Sequence, residues 1–426
     1  MPNNVFRKGT LLSLTLIPIM TISMPKFKKP NLLILILIAI TLGIICGWFF
    51  NESLTRCFVT FNDIFSNLLG FCIPLIILGF VAPSIADLGS QAGKMLLVTV
   101  LLAYGVTLGA GFLSFFVSDN LFPSLLKTEK AAEALTTTVT VAPFFSINMP
   151  PFMDIMSALV LSFLIGIGLT QVKSEHNTLK KAIIEFRDIV SWIIAKLIVP
   201  LLPLYIFGIF LKMSMTGEVN AVLSAFYKII LVIFALHLIW LILLYVGASL
   251  FSRKERNPFK LIWKMLPAYF TALGTSSSAA TIPVTLRQTV KMGVDKDIAG
   301  FTVPLCATID LSGSALKIVA CAVGLMLMRD MAFDFSMFAY FVAMMGIALV
   351  AAPGVPGGSI MAALGLLTSI LGFSEADCAL MIALYIAMDS FGTACNVTGD
   401  GAIAIVVDRF FGDKPTSPSN LETAIN

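Results

Sequence analysis

Six apolar runs, each long enough to cross a lipid bilayer, dominate the first 260 residues of this chain. They lie at about 31–50, 59–86, 94–117, 153–172, 183–212 and 219–252. A helix of roughly 20 apolar residues covers a hydrocarbon layer about 30 Å thick. With 58% hydrophobic and 12% charged residues, the chain carries more apolar surface than a water-soluble core can hide. Such runs must satisfy their own backbone hydrogen bonds in lipid, so the expected fold class is an all-α polytopic membrane protein in contact with membrane lipid.

The basic residues orient the runs. Lys26, Lys28 and Lys29 precede the first run, and Lys94 lies between the second and third. Lys173, Lys180 and Lys181 follow the fourth; Arg253, Lys254, Arg256 and Lys260 follow the sixth. All fall on the inner side if both termini are cytoplasmic. The other side then carries Arg56, Lys212 and a long 118–150 loop, where Lys127 and Lys130 sit beside Glu129 and Glu133. A net charge of +4 is too small to imply a nucleic-acid partner. Seven cysteines without a CxxC pair read as buried thiols, not as zinc ligands or a disulfide framework. His176 and His237 have no second ligand at metal spacing and read as structural. Residues 1–23 have a basic start and a short apolar stretch without a clear cleavage site. Met24 is the expected native start, and residues 1–30 form an N-terminal segment with no assigned role.

After residue 260 the pattern changes. "LGTSSSAATIPVT" (273–285) and "AAPGVPGGSIM" (351–361) each interrupt apolar sequence, leaving flanks too short to span separately. Two re-entrant helix–tip–helix hairpins fit, since irregular backbone at membrane depth has to be buried or to line a cavity. Each is followed by an apolar segment broken by polar residues, "ATIDLSGSALKI" (307–318) and "DSFGTACNVTGD" (389–400). Residues 260–330 and 336–412 thus read as two copies of one unit. Entering from opposite faces, the copies meet near the midplane, where transporters bind substrates and ions.

The residue types in these interruptions carry chemistry. Ser276, Ser277 and Ser278 put hydroxyls and free N–H groups at a helix start, which suits a carboxylate and also serves simple capping. In "PGVPGG", Gly354, Gly357 and Gly358 permit positive φ while Pro353 and Pro356 fix the chain, giving either a hinged tip or an ordinary tight turn. Asp389, Thr393, Asn396 and Asp400 share one helical stripe. A buried carboxylate needs a cation, whether a bound visitor or a lysine, for which Lys317 is the obvious candidate.

The ordered set SSxxxxP, GVPGG and NVTGD, over a match running from about residue 31, resembles the dicarboxylate/amino acid:cation symporter family, with its glutamate and neutral amino acid transporters. The resemblance implies a glutamate-transporter-like fold of eight transmembrane helices plus two re-entrant hairpins in inverted repeats. It also implies a homotrimer in a bacterial inner membrane. Residues 31–252 would be mainly scaffold, with the third and sixth helices joining a mobile transport core at 260–412; residues 413–426 would be a cytoplasmic tail. Carried over by position, Ser277 and Ser278 meet the substrate carboxylate and Asp389 its amino group. The matching substrate set adds Ser276, Ser314, Val355, Pro356, Gly357, Gly392, Thr393 and Asn396. For the coupling ion, sodium with a proton as the alternative, Asp400 is the side-chain ligand, aided by carbonyls of Asn396, Asp310 and Cys306. Thr308 and Ser312, and the backbone of Leu349, Val350 and Ala352, complete the cation positions.

Three departures matter. Gly392 stands where acidic-substrate members carry an arginine, which points to a small neutral amino acid and leaves room at that position. An acidic amino acid or C4-dicarboxylate, its anion held by Lys317 or backbone amides, is the alternative. The family's Asn-Met-Asp-Gly-Thr break reads Asp310-Leu311-Ser312-Gly313-Ser314, so a third sodium site is in doubt. Lys317 either snorkels to an interface or bridges to Asp310, seven residues away. An enzyme is disfavoured, since Ser277 lacks a nearby base and no HExxH occurs. The two Gly/Pro tips favour alternating access over a passive channel.

Overall fold

The regular structure is helical throughout the described residues, which are 32–90, 94–126, 141–171, 178–217, 219–350, 352 and 357–412. In this computed structural model the first part comprises α1 (Leu32–Gly47), α2 (Glu52–Ser90), α3 (Lys94–Leu126), α4 (Ile155–Gln171), α5 (Thr178–Ile193), α6 (Val199–Thr216) and α7 (Val219–Phe251). A π-helical stretch, Ile194–Ile198, joins α5 to α6. Two helices outrun the apolar runs that announce them. α2 begins at Glu52, not near 59, because Asn51 accepts from the Leu54 N–H and Thr60 donates back to the Arg56 carbonyl. α3 continues to Leu126, not 117, with Asn120 and Ser124 donating to carbonyls one turn back. Polar side chains that bond their own helix in this way do not end it.

Among the described residues, six stretches are long and apolar enough to span a membrane: Glu52–Pro83, Lys94–Leu126, Thr178–Thr216, Val222–Phe251, Lys296–Met328 and Asp389–Phe411. The expected first and fourth spans are shorter apolar helices, Ile34–Gly47 and Val160–Gln171. Leu101, Leu164, Leu250 and Trp263 are more than half exposed, as side chains facing lipid would be. Cys46 is half-buried and Cys57 exposed, so the reading of all cysteines as buried holds for the other five. His176 lies outside the described residues.

The second part repeats one order of elements. α8 (Pro258–Thr275) and α9 (Ser278–Met292) form a hairpin, followed by α10 (Lys296–Ile309) and α11 (Ser312–Met328), one helix interrupted at Asp310–Leu311. α12 (Phe335–Val350) and α13 (Gly358–Ser369) pair next, followed by α14 (Glu375–Ala387) and α15 (Asp389–Phe411). Each start has a local cause. Asn257 caps α8 ahead of Pro258, Ser277 caps α9, Asp295 caps α10, and Ser374 with Asp377 forms a capping box on α14.

The second interruption is displaced from its expected place. "DSFGTACNVTGD" is continuous helix, and the break falls just before it at Met388, whose φ of −115° and ψ of 12° leave the helical region. Thr393 and Thr398 donate to carbonyls one turn back and Asn396 bonds to another helix, so these polar groups do not compete with the α15 backbone.

α11 packs against α3, and α15 against α7, α8 and α10; α2 lies along α4, and α1 along α6. Leu316, Ile318, Val319, Met381 and Ile382 are wholly buried in one apolar cluster. A second surrounds Tyr245, Met265 and Val397. Asp408 ties the end of α15 down, accepting from the Asp295 N–H at 2.9 Å and lying 3.8 Å from Arg253. Arg253 also donates to the Gly412 carbonyl at 2.7 Å. Asp408→Ala removes the acceptor of the Asp295 N–H and the carboxylate beside Arg253, and thermal unfolding in detergent is expected to show a loss of about 2 kcal/mol.

Candidate functional site

A cavity of about 110 Å³ lies where the two hairpin tips meet the two interrupted helices. It is lined by Ser276, Ser277, Ser278, Thr308 and Ser314 from the first repeat, and by Ala352, Gly357, Asp389, Thr393 and Asn396 from the second. No lysine or arginine lines it among the described residues.

The first tip is built by its serines. Ser276 adopts a left-handed φ of 50°, which lets the chain leave α8, and its Oγ lies 2.6 Å from Ser390 Oγ on α15. Ser277 accepts from the Ala280 N–H, so its hydroxyl is occupied in capping. Ser277, Ser278 and Ala279 at the start of α9 line the cavity, and a helix start favours an anion. At the second tip, Gly357 takes a φ of 76° and its N–H donates to Asp389 Oδ2 at 3.1 Å. Val355 and Pro356 lie outside the described residues.

Asp389 already has a cation. Lys317 is fully buried, and its Nζ stands 3.1 Å from Asp389 Oδ1, 3.4 Å from the Met388 carbonyl and 3.5 Å from the centre of the Tyr385 ring. This corrects both expectations for Lys317: it neither snorkels nor pairs with Asp310. Asp310 is extended, with φ −88° and ψ 101°, so the helical register of Lys317 does not carry back to it. It also corrects the reading of Gly392 as free room. A Cβ there would lie 2.6 Å from Lys317 Cε and 2.7 Å from its Nζ, so the lysine occupies the space.

Asn396 turns its side chain to the start of α11. Its Oδ1 accepts from the Gly313 N–H at 2.8 Å and the Ser314 N–H at 3.3 Å, and its Nδ2 donates to Ser314 Oγ. It thus caps a helix belonging to the other repeat. His237, read as structural, places Nε2 3.0 Å from the Gly313 carbonyl at the same break.

A second set of polar side chains, at the Asp310 break and on α15, is buried. Asp310, Ser312 and Asp400 are buried, and Asp310 Oδ2, Ser312 Oγ and Asp400 Oδ1 have no hydrogen-bond partner among the described residues. The missing Cβ of Gly399 makes the approach feasible, since it would lie 2.8 Å from Asp310 Oδ2. Buried acceptors of this kind call for a cation. Cys306 is buried beside them, its carbonyl accepting from the Asp310 N–H. Thr308 instead lines the cavity and donates to the Leu305 carbonyl. Leu349 is buried in the apolar core with its carbonyl taken by the Ala352 N–H, while Val350 packs at the edge of the second cluster.

Sequence reasoning missed Tyr385, whose ring lies against Lys317 and whose hydroxyl is 3.0 Å from Ser314 Oγ. The stripe through Asp389 and Thr393 points to it when continued one turn back, although the break at Met388 intervenes. Because Gly392 and Lys317 share one space, Gly392→Ala is expected to cost about 1–3 kcal/mol by overpacking. The cost should shrink in a Lys317→Ala background, and thermal unfolding of the two singles and the double checks this coupling.

Residues 32–410 match the model of the sodium:dicarboxylate symporter family. The chain is 27% identical over 274 residues to an excitatory amino acid transporter of Caenorhabditis elegans, covering 62% of this chain and 52% of that protein. It is 29% identical over 267 residues to neutral amino acid transporter B(0) of Bos taurus, covering 60% of this chain and 48% of that protein. The serine/threonine transporter SstT of Acinetobacter baylyi is 25% identical over 398 residues, 88% of this chain and 96% of that protein. The matches to the animal relatives thus span about half of those proteins' length. An integral membrane protein with hairpin tips and interrupted helices around a polar cavity, matched over nearly its whole described length, belongs to the sodium:dicarboxylate symporter family, whose members are transporters and not enzymes.

Proposed function

We propose that the protein is a cation-coupled symporter that imports a small neutral amino acid such as serine, threonine, alanine or cysteine. The observation that carries this reading is the lining of the cavity: serine hydroxyls and a helix start on one side, Asp389 on the other, and no lysine or arginine among the described lining residues. A zwitterion matches that polarity, with its carboxylate at the first tip and its ammonium toward Asp389. A second substrate carboxylate would be buried without a guanidinium to receive it. Lys317 supports the runner-up, an acidic amino acid or dicarboxylate, because it brings an ammonium to the space over Gly392.

Sodium is the proposed coupling ion, with Asp310, Ser312 and Asp400 around it and backbone carbonyls completing the shell; a proton is the alternative. Oxygen ligands suit a hard cation. The rest of the reading is the family's architecture. It comprises eight membrane-crossing helices with two re-entrant hairpins, inverted repeats, both termini in the cytoplasm of a bacterium, a homotrimer, and an elevator-like transport core at 260–412. The repeated order of hairpin and interrupted helix supports it, and so does the inner-side count of basic residues.

Uptake into proteoliposomes under a sodium gradient tests the substrate. Excess serine or alanine is expected to abolish labelled-alanine uptake and aspartate to leave it intact; the opposite pattern establishes the runner-up. For the ion, sodium is expected to raise the unfolding temperature of the wild type. Asp400→Asn should remove that shift, since only a ligand bound to the folded state stabilises it. A sodium shift that survives in Asp400→Asn rejects the assigned cation position.

A further inference from the structure

The buried ammonium on Asp389 has a consequence for the direction of transport. We propose that Lys317 is a tethered counter-cation: it competes with the substrate's ammonium for Asp389 and keeps that carboxylate neutralised while the unloaded carrier returns. The inference rests on the amino acid reading above and concerns a residue that faces the protein interior, not the cavity.

Lys317 sits in a site built for an ammonium. A carboxylate, a backbone carbonyl and an aromatic face surround its Nζ, matching its three N–H donors. Gly392 contributes by lacking a Cβ, because any side chain atom there would meet Lys317 Cε and Nζ. Asp389 has two faces. Oδ1 is held by Lys317 from within, while Oδ2 accepts from the Gly357 N–H at the second tip, and Asp389 itself lines the cavity.

The physics follows from charge. A carboxylate carried through a low-dielectric layer without a partner faces a steep barrier, and a carrier whose only partner is the substrate's ammonium returns slowly when unloaded. Such a carrier exchanges one solute for another. With Lys317 in place, Asp389 is paired whether or not substrate is present, so this carboxylate needs no ion from the cytoplasm for the return. The cost falls on binding, because two ammonium groups repel each other around one carboxylate. Lys317 therefore trades affinity for net import.

The experiment uses the full chain in proteoliposomes and measures two fluxes of labelled alanine. Exchange is measured with unlabelled alanine inside. Net uptake is measured under an inward sodium gradient, with choline as the only internal cation. For the wild type both are expected. In Lys317→Met the ratio of net uptake to exchange is expected to fall roughly tenfold or more, while alanine binds roughly tenfold tighter. A purely structural lysine would instead weaken binding and lower both fluxes together, and that result, or an unchanged ratio, overturns the proposal. Lys317→Gln, similar in length and uncharged, carries the same expectation if the methionine variant does not fold. Absence of amino acid flux in both modes rejects the proposed function itself, and is thereby distinguishable from a changed ratio.

Discussion

An ammonium and a carboxylate 3.1 Å apart, the ammonium wholly shut off from solvent, hold the centre of this protein together. A buried ion pair gains little net stability over an apolar pair, because both charges lose their water, but removing one partner leaves an expensive orphan. The neighbouring structure is arranged around that constraint. The break at Met388 frees a carbonyl toward Lys317, and Tyr385 lends its ring to the same ammonium. Position 392 carries no side chain, and the second hairpin tip closes on the other carboxylate oxygen through the Gly357 N–H. Four elements, α11, α14, α15 and the tip before α13, are registered to one another by a single pair of charges.

Interrupting a helix inside a membrane exposes backbone groups that must find partners, and the two repeats solve this for each other. Asn396 of α15 caps the start of α11, and His237 of α7 meets the Gly313 carbonyl at the same break. Ser276 at the first tip reaches Ser390 on α15. The polar groups that ordinary core packing would reject are therefore the ones that join the halves. Among the described residues, Asp310 Oδ2, Ser312 Oγ and Asp400 Oδ1 are buried without a hydrogen-bond partner, unlike the Asp389 and Asp408 carboxylates, which are paired. Acids on the same helix thus serve different ends according to what surrounds them.

Much of this was legible from residue order. Apolar run lengths announced the helices. Serine and glycine tips announced the hairpins. The spacing of Asp389, Thr393, Asn396 and Asp400 placed them on one stripe, and all four do lie on α15. Helix ends were less legible, because Thr60, Asn120 and Ser124 are polar yet bond back into their own helices. The least legible feature was the partner of Lys317. Counting along a helix favoured Asp310, but the chain is extended at that residue, and the true partner lies 72 positions away.

The sequence by itself determined the class of structure, since hydrophobicity, turn chemistry and capping act over a few residues and are read locally. Which charges meet was decided only by the tertiary structure. In a low-dielectric interior the energy of a charge depends on atoms within a few ångströms, and those atoms come from helices far apart in the chain. The same physical fact placed Lys317 on Asp389 and left buried oxygens of Asp310 and Asp400 without a hydrogen-bond partner among the described residues.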